Sequence, residues 1–257
     1  MVKIKEITDF LYSLAPVYLA EDYDNVGLLV ESQKTETESV LISLDTDVKI
    51  AAEAKEKGCG LVISHHPLIF KPIKRISKED AVFALIKNDI ALYAMHTNYD
   101  SVRGGLCDVL LNKIGNFKNA MGLEQDEPDG IGRIAELEYE MTFSEFVSDI
   151  KKALGLKELR VVGNGDAVIK TVAICNGGGA DLVYDAKGKG ADVYISGDFK
   201  YHHARYAYEN DMALVEITHY DAEIIFIDAL AEILEEKFGD RLKIYKSNEN
   251  INPWQTV

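Results

Sequence analysis

The sequence predicts an α/β protein of two related halves, each with a mainly parallel sheet, and a dinuclear metal site between them. Three observations carry this reading. Apolar strand-like runs alternate with helical stretches, one part of that plan returns 132 residues later without a gap, and all six histidines stand at or just beyond predicted strand ends or in the helix that follows.

The elements follow in order. In MVKIKEITDFLYSLAP, Ile4, Ile7, Leu11 and Leu14 share a helical face, and Glu6 and Asp9 interrupt any secretion-signal core. VLISLD (40–45) is strand-like and precedes a helical stretch ending in KEKGCG, and LVISHH (61–66) is the next strand. Ser77 and Asp80 form a capping-box start for a helix running to Asn88, ALYAM (91–95) is a strand, and a helix spans 102–114. Strands separated by helices of this length pair in parallel.

The repeat pairs residues 40–66 with 172–198. Ala54, Lys55, Lys57 and Gly58 fall on Ala186, Lys187, Lys189 and Gly190; Ile63 and Ser64 fall on Ile195 and Ser196; His66 falls on Asp198. His96-x-x-x-Asp100 then stands beside His219-x-x-x-Glu223. Duplication explains a gap-free run whose polar ends also recur. The boundaries read as a first half 1–116, a small αβ segment 117–169 packed on the core, and a second half 170–257. In the small segment GIGRIAELEYE (130–140) is a strand, Thr142 and Glu145 frame a capping box, and the helix ends at Gly155.

Composition bounds the function. Apolar residues make up 47% and aromatics 9%, which is globular composition, and no apolar run reaches the ~20 residues of a membrane span. The three cysteines, Cys59, Cys107 and Cys175, lack metal spacing and read as reduced thiols of a cytoplasmic protein. The net charge of −15 disfavours general nucleic-acid binding. It leaves room for a small anionic substrate, because bound divalent cations reverse the local sign.

Ligands of open parallel sheets bind beyond the carboxyl ends of the strands, where the histidines stand. In ISHHP, a strand that breaks at Pro67 lets His65 and His66 serve one metal each; the alternative is a polar loop with solvated imidazoles. His219 and Glu223, four apart at a helix start, share a face, and Asp100 supplies the matching acid. Three imidazoles and two carboxylates suit Zn, Fe, Mn or Co better than Ca or Mg. Five ligands exceed the three of a catalytic zinc, so two divalent ions per chain fit the count. His202 and Asp198, four apart if helical, point to a proton shuttle or substrate contact, or to a helix-surface histidine. His96 either orients a ligand or acts as acid and base. NGGGAD (176–181) reads as a tight strand-to-helix turn, with a phosphate cradle as the alternative, and Asp24 and Asn25 either line a pocket or shape a turn.

Together, DNVGLLV (24–30), ISHHPLIF (63–70), HTNYDSVRGG (96–105), the GGG turn, ISGDFKYHH (195–203) and THYDAE (218–223) resemble, in this order and over nearly the whole chain, the short form of the Nif-three-like family. That family often carries the name GTP cyclohydrolase I type 2. The resemblance implies a dinuclear centre in a toroidal homohexamer, with His65, His66, Asp100, His219 and Glu223 as ligands, Glu223 as the bridge, and His96 and His202 close by. Thr218 replaces a frequent glycine, which changes the turn and not the ligation, and His203 stands where an acid is frequent. The expected function is metal-dependent hydrolysis of a nucleotide-like small molecule, with His96 or His202 carrying protons. The alternatives are a non-enzymatic hexameric metal-binding adaptor and a two-metal phosphoesterase.

Overall fold

A computed structural model describes residues 1–124, 127–249 and 252–254. By internal contacts the chain forms two compact units, Met1–Tyr99 with Phe226–Val257, and Asp100–Ile225.

The first unit is built on a five-stranded sheet in the order 243–246, 39–43, 61–64, 91–94, 27–30. All neighbours are parallel except the edge strand Gly27–Val30, which runs antiparallel to Ala91–Ala94. The three central strands, Ser39–Ser43, Leu61–Ser64 and Ala91–Ala94, are buried along their whole length, as strands covered on both faces must be. Helices Val48–Glu56 and Ala81–Asn88 make the crossovers. Asp47 caps the first by accepting from the Lys49 and Ile50 amides at 2.8 and 3.0 Å. The amino-terminal helix Ile4–Leu14 buries Ile4, Ile7 and Leu11, the face its spacing predicts.

The second unit holds a six-stranded sheet in the order 117–122, 133–142, 168–174, 193–196, 213–216, 160–162. Only Val168–Ile174, Val193–Ser196 and Ala213–Glu216 run parallel to one another; the other three join antiparallel. This corrects the expectation of a mainly parallel sheet in each half. Residues 117–169, read as a segment packed on the core, instead supply strands at both edges of the sheet. Arg133 is buried and fully engaged. It reaches Asp108 (3.0 Å) and the carbonyls of Gly130, Gly132, Ser101 and Val102 at 2.6–3.0 Å, tying down the backbone just after Asp100.

The 132-residue offset holds at the level of register. Val40, Leu41 and Ile42 pair with Leu61, Val62 and Ile63; Val172, Ala173 and Ile174 pair with Val193, Tyr194 and Ile195. Gly58 (φ 70°) and Gly190 (φ 79°) both close the crossover helix in the left-handed region that favours glycine. The third strand follows an offset of 122, with Ala91 against Leu61 and Ala213 against Val193.

Four local expectations change. The helix read over 102–114 begins only at Leu106 and runs to Ile114, because Gly104 takes φ 79° and separates it from the short helix Thr97–Ser101. Asp80, not Ser77, is the N-cap of Ala81–Asn88; the Ser77 amide donates to Asp80 Oδ2 (2.6 Å) in the turn before it. The halves drawn at 1–116 and 170–257 differ from the compact units, because Lys243–Lys246 pairs with Ser39–Ser43 and returns the carboxyl-terminal segment to the first sheet. Asp198 is not helical: it precedes helix Tyr201–Glu209 at φ 58°, so it shares no helix face with His202.

Candidate metal centre

In the first unit the sequence places imidazoles at two adjacent strand ends. After Leu61–Ser64 the amides of His65 and His66 both donate to Leu44 O, at 3.1 and 2.9 Å. Two successive amides turned to one carbonyl break the strand alternation, so the rings lie together, 5.1 Å apart. His96, just past Ala91–Ala94, joins them at 5.2 Å from His65 and 5.5 Å from His66. Each of the three offers a ring nitrogen within 4.8 Å of the others, a group that can hold a metal ion.

Each ring is oriented from behind through Nδ1. His65 Nδ1 meets Met95 O at 2.8 Å, His66 Nδ1 meets Asp45 Oδ1 at 2.7 Å, and His96 Nδ1 meets Asp24 Oδ2 at 2.9 Å. An oxygen acceptor there holds the proton on Nδ1 and leaves Nε2 as the donor for a metal. Burial alone would raise the Asp24 carboxyl; hydrogen bonds from His96, Thr97 and the Asn25 amide outweigh it and bring the pKa down to about 2.

The second unit holds its own group of carboxylates around His219. Thr218 caps helix His219–Glu223 through the Asp221 amide (3.1 Å), which is the work of the residue that departs from the family pattern. One turn of helix brings His219 Nε2 to 3.0 Å from Glu223 Oε2, the convergence expected from their spacing. His219 Nδ1 rests on Asp198 Oδ2 at 2.8 Å. Glu223, offset by burial and reinforced by Asp198, lifts the imidazole pKa to about 9. Asp100 and Glu223 are both buried and share one donor: Asn176 Nδ2 reaches Asp100 Oδ1 at 2.9 Å and Glu223 Oε1 at 3.4 Å. Gly177, in the left-handed region at φ 60°, makes room, since a Cβ there would collide with Glu223 Oε1 and stand 3.1 Å from His219 Nε2. The GGG segment is thus a tight turn lined by Asp198 and Glu223, unsuited to cradling phosphate by itself. The negative surroundings also show at Cys175, whose thiol is pushed well above its ordinary pKa by Cys107, by burial, and by Asp100 and Glu223.

His202 is exposed in the first turn of helix Tyr201–Glu209, beside His203 and Asp181. These three can also be grouped around an ion, but the hydrogen bonds of His203 argue against it. The Lys200 amide donates to its Nδ1 (3.1 Å), so Nε2 carries the proton and donates to Asp181 Oδ1 (3.0 Å). His203 is a buried helix cap, its polarity opposite to that of the four imidazoles above.

Sequence reasoning missed Asp45, Asn176 and the true partner of Asp198. A signal was present: Asp45 precedes His66 by 21 residues and Asp198 precedes His219 by 21. That is close to one strand–helix–strand step, 21 residues from Val40 to Leu61 and 20 from Val193 to Ala213. An acid at one strand end thereby lies beside the imidazole at the next.

The chain matches the Duf34/NIF3 (NGG1p interacting factor 3) family over residues 2–253. It belongs to that family. A GTP cyclohydrolase 1 type 2 homolog of Clostridium perfringens is 37% identical, with both chains covered in full. NIF3-like protein 1 of Drosophila melanogaster is 32% identical over 99% of this chain and 89% of its own. Among solved structures, a Staphylococcus aureus hypothetical protein superposes with a TM-score of 0.90 at 30% identity, covering 100% of this chain and 99% of its own. No helix among the described residues is long and apolar enough to cross a membrane.

Proposed function

We propose that this member of the Duf34/NIF3 family binds two divalent ions, of Zn, Fe, Mn or Co, through His65, His66, Asp100, His219 and Glu223, and hydrolyses a nucleotide-like small molecule. The observation that carries the reading is the shared orientation of His65, His66 and His96, each with Nδ1 on an oxygen acceptor, together with the convergence of His219 Nε2 and Glu223 Oε2 at 3.0 Å. Two buried carboxylates sharing a single amide donor fit a cation equally well, since like charges held so close call for one. Glu223 would bridge.

When bound, such a pair supplies Lewis-acid polarisation and activates water near neutral pH. The chain's own residues do the rest. Asp45 and Asp198 fix the tautomers of His66 and His219. Asp24 stays ionised and holds His96 as a proton carrier at Nε2. His202 is the second candidate for proton transfer, from the exposed turn it occupies. The names of the relatives as GTP cyclohydrolase 1 type 2 homologs support a purine nucleotide as substrate class. The same reading takes the chain to be a cytoplasmic homohexamer that arose by duplication, for which the shared 132-residue register is the support.

The test is elemental analysis of the purified chain with a nucleotide turnover screen. About two ions per chain are expected, with Glu223→Ala abolishing turnover while the oligomer persists. Well under one ion per chain overturns the metal assignment. The second reading is an adaptor, favoured by the words "interacting factor" in the family description. It expects full metal occupancy, no nucleotide turned over, and partner capture unchanged when chelation empties the site.

A further inference from the structure

The loop after the paired histidines is chemically unlike the rest of the chain. From Lys57 to Lys78 there is no Asp or Glu, in a protein of net charge −15, and 71–78 carry Lys71, Lys74, Arg75 and Lys78. Lys78 lies 3.6 Å from Glu79, whereas Lys71, Lys74 and Arg75 are exposed and form no ion pair among the described residues. Phe70 is also exposed, at 43%. An exposed basic run is ordinarily a solvated surface, but this one is built onto the histidine cluster.

Three consecutive residues do the joining. The Tyr23 ring lies 6.3 Å from Phe70, the Asp24 carboxylate holds His96 at 2.9 Å, and Asn25 Nδ2 donates to Ile69 O at 2.5 Å. Phe70 completes the circuit, its ring 6.5 Å from that of His96. An aromatic pair thus adjoins the His96 imidazole, and the exposed basic run follows Phe70 directly in sequence. Aromatic faces take a planar base, and Lys and Arg take phosphate oxygens.

We propose that 68–78 is the nucleotide-recognising rim of the histidine site, with Phe70 and Tyr23 taking the base and Lys71, Lys74 and Arg75 the phosphates of a nucleoside polyphosphate. The inference rests on the nucleotide-hydrolase reading and assigns its specificity. Recognition by this loop concentrates an anionic substrate on a protein whose overall charge repels it.

The experiment is calorimetric binding of GTP, ATP, guanosine and tripolyphosphate to the full chain as purified, beside the triple variant Lys71→Ala/Lys74→Ala/Arg75→Ala and the single variant Phe70→Ala. Circular dichroism melts show that each variant is folded. The triple variant is expected to lose GTP and tripolyphosphate affinity by about tenfold or more, with guanosine unchanged. Phe70→Ala should weaken GTP and guanosine and spare tripolyphosphate. GTP affinity unchanged in the triple variant overturns the proposal, and so does a wild-type chain that binds neither GTP, ATP nor tripolyphosphate. Elemental analysis of the same samples separates the two readings: metal-poor protein with the expected binding pattern sinks the hydrolase and leaves the rim standing.

Discussion

The two units use one frame to present different chemistry. Both set a strand, a crossover helix closed by a left-handed glycine, and a second strand in the same register. Yet the residues 132 apart at the strand ends differ. The first unit has Asp45 behind His66, and the second has Gly177 and Asp198 at those positions. Asp198 orients an imidazole where the first unit has one, and Gly177 leaves open the volume that Glu223 occupies. The first unit is consequently rich in nitrogen donors and the second in oxygen donors. The backbone decides where donors stand; a few substitutions decide which element they offer.

The largest effect should come from a buried arginine, which the first unit lacks among its described residues. Arg133→Met leaves Asp108 and four carbonyls of the second unit without their donor, at a cost of about 3–5 kcal/mol in denaturant unfolding. A loss under about 1 kcal/mol would mean that the second unit does not depend on this buried cation.

Next, Gly177→Asp introduces the residue that the first unit has 132 positions earlier. With φ at 60° and Glu223 in the way, the expected outcome is loss of about one metal per chain by elemental analysis, and a lower melting temperature. Retention of full occupancy would show that Glu223 is not held where a ligand must be. A milder probe is the pair Asp45→Asn and Asp198→Asn, one in each unit. Both remove the charge behind an imidazole and should weaken metal binding about 10–100-fold in chelator competition. A response from one alone would break the symmetry between His66 and His219. The smallest effect is Asp47→Ala, which deletes a helix cap whose equivalent in the second unit is already Gly179, with no side-chain cap. It should cost about 1 kcal/mol in thermal unfolding, with metal content unchanged.

Much of the site was legible because its residues are locally encoded. The HHP and H-x-x-x-acid motifs stand at strand ends that hydrophobic pattern alone reveals, and His219 meets Glu223 through one helical turn. The partner of Asp198 was misassigned because a helix was extended through a position that takes φ 58°. His203 counted as one more histidine of a cluster until its hydrogen bonds gave it the opposite polarity. The mixed polarity of the second sheet is not legible in the sequence, because the strands of 117–169 show their direction only through pairing partners.

By itself, then, the sequence determined the strand–helix alternation, the gap-free 132-residue pattern and the capping box at Thr142, and it named the candidate donors, all of which follow from periodicity and short-range spacing. Tertiary structure alone decided which acid stands behind which imidazole and which carboxylates share Asn176. Those contacts join residues 21 to 76 apart, and sheet order, which no local pattern encodes, brings them together.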